Sequence, residues 1–221
     1  EQFIDSSNAR NALENSIKIA IAVTIISVIL GTMSALALER FTFKGKRVFD
    51  ALLYLPIIIP DVTMAVMLLL FFGEFFEILD NLFGIQLRKG FWSISISHIA
   101  FNISFVSVVV RARLAGMSTD LEEAAVDLYA SRWKAFRHVT FPQILPGIAG
   151  GALLAMTLSL DDVVITQFVA GPGWTTLPVY VFGLIRKGVT PLINSISVIM
   201  LVSSMLLVGL SLLAERTRRG G

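Results

Sequence analysis

The sequence contains no cysteine, which excludes disulfides and thiolate metal sites. Charge is scarce as well. Asp, Glu, Lys and Arg make up 15% of the 221 residues, against about 25% in a soluble domain. So few charges cannot cover a water-facing exterior, whereas a lipid-facing one needs none. Lys+Arg and Asp+Glu nearly balance, 18 against 16, so binding to nucleic acid has no electrostatic support. His98 stands alone, without a second histidine or an acidic neighbour that would make a metal site, and reads as a buried, hydrogen-bonded side chain. No G-x-x-x-x-G-K-[ST] run occurs: Gly45-Lys46 comes nearest, with Arg40 where the first glycine should be. Nor is there a nucleophile–base–acid set. The chain is therefore expected to be no enzyme and to hold no cofactor of its own. A signal-peptide pattern is also missing from the start, and the first residue is Glu1.

Hydrophobic residues, by contrast, make up 55% of the chain. About 20 apolar residues in a helix cross the roughly 30 Å core of a bilayer. Runs of that length predict spans over about 17–38, 49–73, 91–111, 142–165 and 191–214. Unpaired backbone groups are not tolerated in lipid, so each should be helical. The expectation is an all-α membrane protein, a single transmembrane domain over 1–221 with five spans. Gly31 with Ala35, and Gly147 with Gly151, form small-xxx-small pairs suited to close helix packing.

Twelve of the eighteen basic residues fall in three places: Arg40, Lys44, Lys46 and Arg47 after the first span; Arg111, Arg113, Arg132, Lys134 and Arg137 after the third; Arg216, Arg218 and Arg219 at the end. The positive-inside rule makes these cytoplasmic, with the first residue outside and the last inside.

The connection over 118–141 is longer than a bare link needs. Thr119 and Glu122 fit a capping box that starts a helix near Asp120. Ser131 fits the N-cap of a short basic helix from Arg132 to His138, and Pro142 suits the first turn of the next span. The result is an elbow with an acidic arm carrying Ala124 and Ala125 and a basic arm carrying Trp133 and Phe136. Such an elbow can sit in another protein's groove or lie on lipid headgroups.

Glu123-Ala124-Ala125 and Pro142, at their spacing, resemble the signature of the membrane subunits of ATP-binding-cassette importers. Tyr129 stands where that pattern has the glycine of the sharp turn, and Val139 and Phe141 where it has Ile and Leu. Further stretches are similar to the second permease subunit of spermidine/putrescine importers: Arg40-Phe-Thr-Phe-Lys-Gly-Lys46, Pro60-Asp61, Ser159-Leu-Asp-Asp-Val-Val164, Phe168-Val-Ala-Gly-Pro172, Leu177-Pro178 and Gly188-Val-Thr-Pro-Leu-Ile-Asn194. The resemblance implies a type I ABC-importer permease fold in a bacterial inner membrane. Such subunits normally have six spans, so one would be missing here. It also implies a cytoplasmic coupling helix docking on a separate ATPase dimer through Glu123, Ala124, Ala125, Tyr129 and Pro142. ATP and Mg would be bound by that partner. A second permease subunit, making a heterodimer, and an external binding protein are the other implied partners, with transport by alternating access.

Carboxylates in apolar runs bear on the cargo. Asp61 lies about twelve residues, or roughly 18 Å, into the second predicted span, beside Pro60 and Pro56, which should kink the helix. A carboxylate at that depth costs roughly 2.5–3.5 kcal/mol on insertion scales, so a water-filled route or a partner charge is expected. Asp161 and Asp162 come near the end of the fourth span. Together the three suit a cationic polyamine pathway and disfavour anions. The plainer readings are a half-helix cap for Asp61 and outer-surface charge for Asp161 and Asp162. The turn-rich stretch 171–178 should fold over the external mouth. An ion-gradient carrier is the rival class; it would normally show internal repeats, and none is evident.

Overall fold

The computed structural model describes residues 7–118, 120–187, 198–203 and 205, and among them all regular structure is helical. The first helix, α1 (Ser7–Arg40), buries Ala9, Ala12, Ser16, Ile19, Ala20, Val23, Ser27, Gly31, Ala35 and Leu38. Their spacing of three and four residues defines one inward face. Two further long helices, α4 (Phe91–Ala115) and α7 (Phe141–Asp161), pack against that face and each other.

Small residues set how closely these three approach. Val106 of α4 is received by Gly31 of α1 and Gly151 of α7. A Cβ on Gly31 would stand 2.7 Å from the Val106 Cβ, and one on Gly151 would stand 3.2 Å from its Cγ1. A Cβ on Gly147 would meet the Arg113 Cβ at 2.9 Å. The predicted small-residue contacts are therefore real interhelical seats.

The second predicted span differs from expectation. Residues 49–73 are not one helix but parts of α2 (Lys46–Ile58) and α3 (Asp61–Phe83). Pro56 is accommodated inside α2, and the break falls at Ile59–Pro60. Ile59 takes extended angles (φ −72°, ψ 130°), because a residue before proline is pushed out of the helical region. The 23 residues of α3 give about 35 Å, enough to cross a membrane unaided.

The fourth span also departs, at both ends. Rather than a short basic helix followed by a fresh start at Pro142, Arg132–Asp161 is continuous. It comprises α6 (Arg132–Ala135), a π turn over Phe136–Thr140, and α7. The Phe141 N–H donates to the Phe136 carbonyl, five residues back. Proline's ring collides with the carbonyl four residues before it, and a locally wider turn relieves that at Pro142. At the far end α7 stops at Asp161, short of the expected 165, and α8 (Val164–Val169) resumes after a two-residue break. An apolar α9 (Leu177–Lys187) follows.

Among the described residues, four helices are long and apolar enough to span: α1, α3, α4 and Arg132–Asp161. The predicted fifth, 191–214, lies outside the described residues except for 198–203 and 205, which are helical.

The two ends of the bundle are built differently. At one, the Arg111 guanidinium joins Glu39 at 2.8 Å and Asp50 at 2.5 Å, tying the end of α1 and the start of α2 to α4. At the other, residues 171–176 cross the beginnings of α1 and α4. The Asn15 side-chain amide donates to the Gly173 and Thr175 carbonyls at 2.9 and 3.1 Å. Trp174 lies on Gly90 and Phe91, with ring centroids 5.3 Å apart.

Candidate functional site

The elbow starts where the sequence places it. Helix α5 (Asp120–Asp127) opens with the Asp120 N–H donating to Ser118 Oγ at 3.1 Å. Thr119 lies outside the described residues. Its expected capping-box partner, Glu122, is engaged elsewhere: Glu122 Oε1 accepts from the Arg40 guanidinium at 2.9 Å and from Thr140 Oγ1 at 2.7 Å. One carboxylate thus anchors α5 to the end of α1 and to the π turn that leads into α7. Sequence reasoning passed over Glu122 as an anchor, because its partners are 82 and 18 residues away in the chain.

The turn that follows explains how a tyrosine serves in place of glycine. Tyr129 has φ +62°. The Ala130 N–H donates to the Ala125 carbonyl at 3.0 Å and the Tyr129 N–H to the Val126 carbonyl at 2.9 Å. This is the Schellman arrangement, in which a left-handed residue closes the helix. A side chain there is disfavoured by roughly 1–2 kcal/mol. The sharp turn forms nonetheless. Ser131 Oγ accepts from the Lys134 N–H at 3.3 Å, as predicted, and Trp133 stacks on Phe136 with centroids 5.7 Å apart.

What the elbow leaves uncovered matters most. Glu123, Ala124 and Pro142 are exposed, Ala125 is half-buried, and Tyr129 is 99% exposed. Leu121, Leu128 and Trp133 are exposed alongside them.

The three candidate pathway carboxylates divide into two kinds. Asp61 is the first residue of α3 and Asp161 the last of α7. Both are exposed in this chain, and among the described residues neither has a hydrogen-bond or ion-pair partner. Asp162 is different. Its side chain is 10% exposed and faces inward. It accepts from the Ile165 and Thr166 N–H groups at 3.3 and 2.7 Å and from Thr166 Oγ1 at 2.7 Å, capping α8. His98 of α4 completes the cluster, with Nε2 at 3.2 Å from Asp162 Oδ2 and 2.9 Å from Thr166 Oγ1, and Nδ1 at 2.9 Å from Ser159 Oγ. The predicted buried, hydrogen-bonded histidine is there. It does have an acidic neighbour, contrary to the sequence reading, and Asp162 is occupied by that contact rather than turned to an open route. The α7–α8 break created the neighbour by folding Asp162 back towards α4.

The breaks before Asp61 and after Asp161 border the same hydrophobic cluster. Met64 and Ala65 of α3 belong to it, as do Ile165 and Val169 of α8 and Phe101 of α4, with Ile59, Leu158 and Val164 on its margin. The two unpartnered carboxylates therefore flank one packed unit. Among the described residues, no group of three His, Cys, Asp or Glu side chains gathers as a metal site would require.

Comparison with known proteins agrees with this architecture. Residues 16–216 match the family described as binding-protein-dependent transport system inner membrane component. Spermidine/putrescine transport system permease protein PotC of Escherichia coli (strain K12) is 36% identical over 219 residues, 99% of this chain and 79% of that protein. Putrescine transport system permease protein PotI of the same strain is 41% identical over 192 residues, 86% of this chain and 67% of that protein. Among solved structures, that of a bacterial alginate ABC transporter in complex with alginate pentasaccharide-bound periplasmic protein aligns with a TM-score of 0.79. It covers 94% of this chain and 78% of that one, at 18% identity, a likeness of fold alone.

Proposed function

The chain belongs to the family of binding-protein-dependent transport system inner membrane components, and from that premise we propose that it forms half of a transmembrane pathway for a cationic polyamine, driven by a separate cytoplasmic ATPase. It is a membrane permease subunit of an ABC importer, with the type I permease fold. The observation that carries the coupling is the elbow: held to α1 and the π turn by Glu122, it leaves Glu123, Ala124 and Tyr129 facing outward. In the proposed mechanism that face seats on one subunit of an ATPase dimer. ATP and Mg are bound there, and a second permease subunit completes the pathway. The elbow end carries Arg40, Lys44, Lys46, Arg47, Arg111, Arg113, Arg132, Lys134 and Arg137, which supports a cytoplasmic placement. An external binding protein then meets the opposite end, where 171–176 fold over α1 and α4.

The polyamine follows from Asp61 and Asp161. Two exposed carboxylates, neither with a partner among the described residues and both at helix breaks beside one cluster, suit a cationic solute. The two named relatives transport spermidine and putrescine, or putrescine, by their own descriptions. Asp162 is left out of this role because it is nearly buried and its Oδ2 already meets His98 and Thr166.

The test is reconstitution of the chain with a second permease, the ATPase and a binding protein. Polyamine uptake should require ATP and stop when the ATPase is omitted, whereas a gradient-driven carrier would continue. Crosslinking from Ala124→Cys should capture the ATPase. Capture of lipid alone in an active assembly would overturn the docking assignment.

A further inference from the structure

His98 touches three residues that straddle one interruption: Ser159 before it, Asp162 at it and Thr166 after it. The ring is completely buried, so water cannot replace any of these bonds. A ring protonated at Nε2 fits these contacts: it donates towards the Asp162 carboxylate, which can only accept, and leaves Nδ1 to accept from the Ser159 hydroxyl. Every polar atom of the cluster is then matched. His98, from a third helix, is the side chain that bonds to both arms of the interruption. Asp161, which has no hydrogen bond of its own among the described residues, sits next to Asp162 at the end of α7. It is the last residue of α7, which His98 grips two residues earlier at Ser159.

We propose that His98 is a positioning residue for transport: by clasping α7 and α8 across their break, it sets where the Asp161 carboxylate stands in the pathway, without meeting the solute itself. The proposal rests on Asp161 lining that pathway. It adds that the carboxylate's placement is imposed from α4. A histidine suits the task because its two ring nitrogens, on opposite edges of a rigid plane, reach both arms at once.

Because the chain has no cysteine, Asp161→Cys gives a single thiol at the position in question. In the reconstituted complex with cysteine-free partners, its reaction rate with a small cationic thiosulfonate is compared with and without His98→Ala. The expected result is a change of at least five-fold in rate. His98→Gln, which keeps a donor towards Asp162, should restore most of it. An unchanged rate in a His98→Ala complex that still assembles overturns the proposal. Should His98→Ala not assemble, Ser159→Ala with Thr166→Val, which loosens the same clasp from its other side, is held to the same criterion. A cycle of His98→Ala and Asp161→Asn measures the transport consequence. KM for polyamine should rise about three-fold in either single variant and no further in the double. Full additivity would overturn the proposal. Labelling that shifts while Asp161→Asn leaves uptake untouched would remove the pathway reading and keep the clasp. The reverse pattern would remove the clasp and keep the pathway.

Discussion

Among the described residues the chain interrupts its apolar helices at Ile59–Pro60 and at Asp162–Val163, by different means. At Ile59–Pro60 the cause is covalent: the pyrrolidine ring forces Ile59 into extended angles, and no side chain caps the α3 start. At Asp162–Val163 the cause is a set of hydrogen bonds, because Asp162 caps α8 and His98 bridges the arms. The first break is written into one residue type. The second exists only once α4 is alongside. A proline break should survive changes in its surroundings, and a capped, clasped break should not.

That contrast can be broken or sharpened by substitution. The largest effect is expected for Asp162→Leu, which leaves His98 and the first amides of α8 without their acceptor. The assembled complex should lose about 3–5 kcal/mol in a denaturation measurement, the range for orphaning a buried partner. A loss below about 1 kcal/mol would mean that the second break needs no clasp. Thr166→Val should cost about 1–3 kcal/mol by the same measurement, since one donor and one acceptor are removed from a buried set. Asp61→Asn combined with Asp161→Asn should leave the unfolding transition in place and lower polyamine uptake at subsaturating solute about ten-fold, equivalent to about 1.4 kcal/mol. Unchanged uptake would detach both breaks from transport. Smallest of all, Pro60→Ala should alter stability by no more than about 1 kcal/mol while joining α2 to α3. Hydrogen exchange should then show new protection at the amides of residues 61 and 62. Persistent exchange there would show that the first break, too, is held by its neighbours.

The same distinction governs what the sequence reveals. Spans α1 and α4 are legible because uncharged runs of bilayer length admit one solution in lipid. Pro60 announces a discontinuity, though a kink and a full break look alike before α3 is seen to cross by itself. Pro142 suggested a new helix, but a π turn lets Arg132–Asp161 run through it. Asp161 and Asp162 are chemically identical neighbours, and only the chain's direction change turns one outward and the other towards His98. The elbow's helices and its Ser131 cap follow from local rules, and Tyr129 could be located but not its φ. Glu122 was beyond reach, because Arg40 and Thr140 become its partners only through folding.

Glu122 also decides how effort applied to the elbow is shared. Because one carboxylate grips both Arg40 and Thr140, a tug on α5 loads two membrane helices together instead of bending one. Val106, lodged between Gly31 and Gly151, joins α4 to the same pair, so a load on the elbow is expected to reach all three together. Of the long helices, α3 stands apart from this arrangement, its main packing being against the short α8.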